Sequence, residues 1–235
     1  MGRIIVVRHG QASYGQPDYD RLSQRGVRQC QLLGAHWAAR GLRIDEVHVG
    51  PRRRHWQSHD AAAEYFRVGG GNWPSPVEDP ALDEYRAFEV MESAVPSETL
   101  QAMLVDTEAS RREYFLLFRK TMRLWVRGEL ATPGVESWQQ FRRRVESTAE
   151  RMRQMITTSA DGKNIAVFTS GGPTAAFAGY ALGLDDLRTM ELSWIISNAS
   201  FSELLASKND EEERFTLLSL NAIPHLADPD LVTGA

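Results

Sequence analysis

The chain has 235 residues, of which 42% are hydrophobic and 25% charged, and its net charge is -4. This is ordinary globular composition, long enough for one elaborated α/β domain or two small ones, and it gives nucleic acid no global electrostatic pull. No apolar run approaches a bilayer span, no secretory pattern is visible, and Cys30 is the sole cysteine; a membrane span, a disulfide framework and a thiol metal site drop out, and a cytoplasmic location is expected.

The first element is the aliphatic run Ile4 to Val7, which reads as a strand buried on both faces. It stops at Arg8-His9-Gly10, where glycine permits a sharp turn. Arg8 and His9 then sit at the carboxyl end of a central strand, the place where open α/β sheets put ligands. A guanidinium beside an imidazole suits an anion, because Arg forks onto phosphate oxygens and His attacks phosphorus or moves a proton. On three letters alone, a strand-capping histidine is the simpler reading.

Residues 13–20 read as a loop. Ser23 is a helix N-cap and Gly41 a stop, with Val27, Cys30, Gly34 and Trp37 on one buried face. Val47 to Val49 is a second strand, ended by Gly50-Pro51, and Arg52 to Phe66 reads as a helix with Pro51 in its first turn. Helical spacing sets Arg52, Arg53 and Arg54 about 100° apart, so one of the three is expected to face a site. Gly69 to Pro76 reads as a flexible excursion without the context of a phosphate-binding loop. Carboxylates follow in Leu82-Asp83-Glu84-Tyr85.

From Ser97 to about Ile156 the pattern is helical. Tyr114, Phe118, Thr121 and Trp125 mark one inner face, ended by Gly128. Ser137 opens a capping box before a stripe of Trp138, Phe141, Val145, Met152 and Ile156, and Arg142 to Arg144 lie among glutamates as a solvated face. Asn164 to Thr169 is another buried strand, turned by Ser170-Gly171-Gly172-Pro173 into an apolar helix ending at Gly183. The N–H groups of Gly171, Gly172 and Thr174 form a potential anion site there. Leu192 to Ser197, Ser200 to Ala206 and Phe215 to Leu220 read as strands, with a charged turn at 208–214. Strand–helix alternation predicts a three-layer α/β/α sandwich with a mostly parallel central sheet, one domain over 1–235.

Val7-Arg8-His9-Gly10-Gln11 resembles the signature of the histidine phosphatase superfamily, the phosphoglycerate-mutase-like family. Further landmarks follow in order: Leu22-Ser23-Gln24-Arg25-Gly26 with Gln29, Pro51 to Arg54 with Ser58, Leu82-Asp83-Glu84, Thr169-Ser170-Gly171-Gly172, and Asn221 with a structural His225. The resemblance implies a helical lid inserted at about 85–157. It implies catalytic roles for His9, Arg8, Arg54 and Glu84, with Asp83 and Glu89 as less favoured acids. It implies phosphate contacts from Arg8, Arg54, Ser170, Gly171, Gly10 and Gln11. No cofactor or metal is called for, and the expected partner is a small phosphorylated substrate or phosphate, not nucleic acid or membrane.

Three departures stand out. Ser170 replaces the family's second histidine, Gly50 replaces a serine, and His55 stands where alanine is common. His55, His59 and His225 are the other imidazoles that could move in, and each ranks behind Ser170 acting with the Gly171 N–H. The leading expectation is a phosphomonoesterase working through phosphohistidine at His9. A weakly active or inactive phosphate-binding module is the alternative, and a phosphoglycerate mutase ranks third.

Overall fold

The structure, a computed structural model, describes residues 1–13, 20–103, 108–207 and 215–234. The loop expected around 14–19 and the turn expected at 208–214 lie outside the described residues. β1 (Gly2–Arg8) is central, as its aliphatic run requires: it pairs in parallel with β4 (Asn164–Thr169) and antiparallel with β5 (Phe201–Ala206). β2 (Glu46–Val49) flanks β4, and β6 (Thr216–Ala222) flanks β5. A short edge strand, β3 (Pro76–Glu78), completes the order β3-β2-β4-β1-β5-β6. The sheet is mixed and mostly parallel, as expected.

Strand alternation divides the core. Ile5, Val7, Ala166 and Phe168 face one layer, α1 (Gln24–Ala39) and α2 (Arg53–Val68), through Leu33, Trp37, Ala62 and Phe66. Ile4, Val6, Ile165 and Val167 face the other, α6 (Trp138–Thr158) and α7 (Gly171–Leu182), through Val145, Ala149, Met152 and Phe177. Each fully buried large apolar side chain contributes about 1.5–3 kcal/mol relative to exposure. α3 (Ala87–Glu92), α4 (Ser97–Met103) and α5 (Glu108–Val126) pack on one another, with α5 also against α6, on the α6–α7 side of the core. α8 (Asp186–Ser193) follows α7.

Several expectations are corrected. α6 packs on the sheet as part of a main layer, because its stripe meets Ile4 and Ile165; the helical excursion therefore ends before it, not at 157. Pro51 precedes the α2 N-cap, Arg52, and is not in the first turn. Residues 192–197 are no strand: Asp185 caps a helix through its side chain, and Leu192-Ser193 end that helix. The glycine-rich excursion is anchored by Trp73, which is buried against Trp37, Phe66 and Phe168, and it leads into β3. No helix among the described residues is long and apolar enough to cross a membrane.

Candidate active site

His9 follows the last residue of β1 and is 5% exposed. Its backbone is held on three sides: N–H to Thr169 O, and carbonyl oxygen to Ala199 N–H and Asn198 Nδ2. The imidazole Nδ1 lies 2.7 Å from Gly10 O. A carbonyl only accepts, so Nδ1 carries the proton and Nε2 keeps its lone pair. Burial, then the charges of Arg54 and Arg8, hold the His9 pKa well below its ordinary value. A neutral imidazole with a free Nε2 lone pair in a cationic pocket is a nucleophile poised for an anionic electrophile.

Two guanidinium groups supply the positive field. Arg8, last in β1, donates Nη1 to Ile196 O. Arg54, on the first turn of α2 and 5% exposed, reaches Asp20 Oδ1 at 2.7 Å and Ser170 Oγ at 3.3 Å. Asp20 had no signal beyond a loop aspartate. It accepts the Arg53 N–H at 2.9 Å and so fixes the start of α2 as well as the Arg54 side chain. Arg52 turns to the acidic segment instead, pairing with Asp83 at 2.5 Å and donating to Glu84 O. Helical spacing does separate the three arginines, and Arg54 is the buried one.

Glu84 is half-buried as a residue, yet its carboxylate points inward. Oε2 accepts Gly172 N–H at 3.0 Å and Oε1 accepts Tyr85 N–H at 3.1 Å. A Cβ on Gly172 would lie 2.1 Å from Oε1, so only glycine lets the carboxylate rest on the α7 N-terminus. Burial raises the Glu84 pKa and outweighs the opposing hydrogen bonds and arginines. Of the substitute acids, Asp83 is held by Arg52 and Glu89 is exposed on α3. Geometry favours Glu84.

The expected phosphate contacts divide. The Gly10 N–H goes to Ser58 Oγ, and a Cβ at Gly10 would meet Gly26 O at 2.3 Å, so this glycine serves close packing between β1 and α1. Gln11 gives its N–H to Gln29 and accepts Ser23 Oγ at its side-chain oxygen. The backbone N–H groups of Gly10 and Gln11 are thus engaged in the scaffold. At the α7 start, Gly172 N–H is held by Glu84 and Thr174 N–H by Ser170 O, which leaves Gly171 N–H as the open donor among the described residues.

Of the three alternative imidazoles, His59 is in the core, accepting Trp73 Nε1–H and packing on Phe168. His225 stacks on Phe201, its pKa lowered to about 4 by burial. His55 is different. It is fully buried, its Nε2 is 2.7 Å from Ser170 Oγ, and its ring centre is 5.9 Å from that of His9. The sequence ranks it behind Ser170 acting with the Gly171 N–H; the fold joins His55 to Ser170.

The profile of the histidine phosphatase superfamily (branch 1) matches residues 4–222. Comparison with curated protein sequences returns no significant match. Among solved structures, a phosphoglycerate mutase from Bacillus anthracis superposes with TM-score 0.62 at 15% identity, covering 96% of this chain and 95% of its own. A mycobacterial glucosyl-3-phosphoglycerate phosphatase gives 0.58 at 21%, covering 94% and 98%. A phosphoserine phosphatase mutant from Entamoeba histolytica, solved with phosphoserine, gives 0.59 at 14%, covering 96% and 100%. These likenesses establish the fold, and with a profile match across nearly the whole chain the protein belongs to the histidine phosphatase superfamily, branch 1.

Proposed function

We propose that the protein is a phosphatase for a small phosphomonoester, acting through a phosphohistidine at His9. The observation that carries this reading is the His9 ring itself: neutral, with Nδ1 tied to Gly10 O, and set between Arg8 and Arg54. Nε2 attacks phosphorus as the ester P–O bond breaks. The arginines take up the charge on the equatorial oxygens, which is the main contribution a protein makes to phosphoryl transfer. The Glu84 carboxyl gives its proton to the leaving oxygen. Water then attacks the phosphohistidine, Glu84 recovers a proton from that water, and the P–N bond breaks to return His9 and release phosphate.

The direct test is a rapid quench during turnover of a labelled aryl phosphate. The expected result is a protein-bound phosphoryl group that is acid-labile and alkali-stable, mapped to His9. Labelling of a hydroxyl residue instead, or turnover without any label on His9, would sink the reading.

Glu84 gives a separate expectation. kcat/KM should rise with pH through a value below the ordinary histidine range, as His9 loses its proton. It should fall through a value above the ordinary carboxylate range, as Glu84 loses its own. Glu84→Gln should lose the alkaline limb and slow alkyl phosphates by roughly 10²–10⁴-fold. An aryl phosphate, whose leaving group needs no proton, should suffer much less. Equal slowing of both substrate types would remove Glu84 from the acid role.

A second reading, a phosphate-binding module with little turnover, is favoured by one observation: the position after β4 carries a hydroxyl, Ser170, which cannot hold positive charge. Such a protein would bind phosphate and form no phosphohistidine.

A further inference from the structure

His55 is a buried imidazole that the mechanism above leaves unused, and its surroundings are specific. It lies on the first turn of α2, one residue after Arg54, with 0% exposure. Its Nε2 meets Ser170 Oγ at 2.7 Å, and the same oxygen receives Arg54 Nη2 at 3.3 Å. Its Nδ1 has no hydrogen-bond partner among the described residues and faces Gly50, where a Cβ would stand 2.4 Å away. Any larger residue at 50 would drive the ring out of this position. Glycine at the end of β2 is the condition for histidine at 55.

These contacts fix what Ser170 can do. On the Nδ1 side only the Gly50 backbone is in reach, and no hydrogen bond of normal geometry forms there, whereas Nε2 stands 2.7 Å from Ser170 Oγ. The proton therefore belongs on Nε2, which donates to Ser170 Oγ. Arg54 donates to the same atom. A hydroxyl accepts two hydrogen bonds and gives one, so with both acceptor positions filled its remaining capacity is the O–H itself. Ser170 becomes an obligate donor at the start of α7, beside the open Gly171 N–H and within the cationic field of Arg8 and Arg54.

We propose that His55 is a positioning residue of the phosphoryl site: through its Nε2–H it turns the Ser170 hydroxyl into a fixed donor for an oxygen of the group transferred to His9. This rests on the phosphatase reading for its substrate and deepens it, since the pocket then contains two cooperating imidazoles, one nucleophilic and one acting through a serine. Burial and the neighbouring Arg54 and Arg52 keep the His55 pKa well below the ordinary value, consistent with a neutral ring donating from one nitrogen. The sequence separation of 115 residues between the pair is closed by the β4–α7 turn lying against the first turn of α2.

The test is a double-mutant cycle on aryl phosphate hydrolysis with His55→Leu, Ser170→Ala and the double variant, plus His55→Gln, whose amide N–H can stand in for Nε2–H. Each single loss is expected to lower kcat by about 10²-fold, the effect of removing one preorganised donor, with KM little changed. The double variant should be no worse than either single, because the two residues act as one unit. His55→Gln should stay within about tenfold of the wild type, a rescue that a packing role would not give. Multiplicative losses in the double variant, or an unchanged kcat in His55→Leu, would overturn the proposal. If the wild type and His9→Ala prove equally inactive, the phosphatase reading fails separately, and calorimetric binding of inorganic phosphate decides the dyad. Roughly tenfold weaker binding in both His55→Leu and Ser170→Ala, with His55→Gln close to wild type, is then expected. Equal affinities, or no phosphate binding at all, would reject it.

Discussion

His9→Ala is expected to remove at least about three orders of magnitude of aryl phosphate hydrolysis, measured in chelator from acidic to neutral pH. The loss should be one of chemistry and not of folding. The backbone groups of His9 bond Thr169 O, Ala199 N–H and Asn198 Nδ2, and all three bonds survive truncation to alanine. The thermal midpoint should therefore move little. His55 cannot take over the attack, because its ring centre is 5.9 Å away and its Nε2 is engaged with Ser170. Wild type and His9→Ala equally devoid of activity, with the fold intact, would leave the protein a phosphate-binding module at most.

Arg54→Ala should be the next most damaging change, lowering kcat/KM by about two to three orders of magnitude. Two effects combine there. The pocket loses a guanidinium that stabilises charge on the transferring oxygens, and Ser170 loses one of the two donors that direct its hydroxyl. Arg54→Lys should recover little, since an ammonium is a point charge and cannot reach Asp20 and Ser170 together as the planar fork does. Stability should change modestly: Asp20 is partly exposed and can rehydrate, and it keeps its bond to the Arg53 N–H. Steady-state kinetics of the two variants beside the wild type check both statements. Recovery by lysine to near wild-type rate would assign Arg54 a purely coulombic role.

Much of this site is legible in local sequence because it hangs on local elements. Ile4 to Val7 can only be an interior strand, so Arg8 and His9 must emerge at its end, and the turn from β4 into α7 places Ser170 by the same logic. Helical phase allows one of three adjacent arginines to face inward, the resemblance points to Arg54, and Arg54 is the buried one. Where the signal was weaker than its competitor, the reading slipped. The apolar Leu192 to Ser197 run looked like a strand, but the Asp185 cap sets a helix that consumes its first residues. α6 looked like lid because it follows the inserted helices, whereas its stripe fits the sheet face.

Sequence alone pointed to the family, to a mostly parallel α/β sheet with Ile4 to Val7 in its interior, and to His9, Arg8 and Arg54 as candidate site residues, since each follows from a short run, its turn and the resemblance they carry. Tertiary structure alone decided what those residues touch: that Asp20 holds Arg54, that Gly10 and Gln11 serve the scaffold, that Glu84 rests on Gly172, and that His55 meets Ser170. Such pairs join residues 34, 48, 88 and 115 positions apart. No periodicity or motif spans those distances. The contacts exist because the sheet brings the ends of β1, β2 and β4 to one edge, and only the packed chain can set their side chains within hydrogen-bond reach.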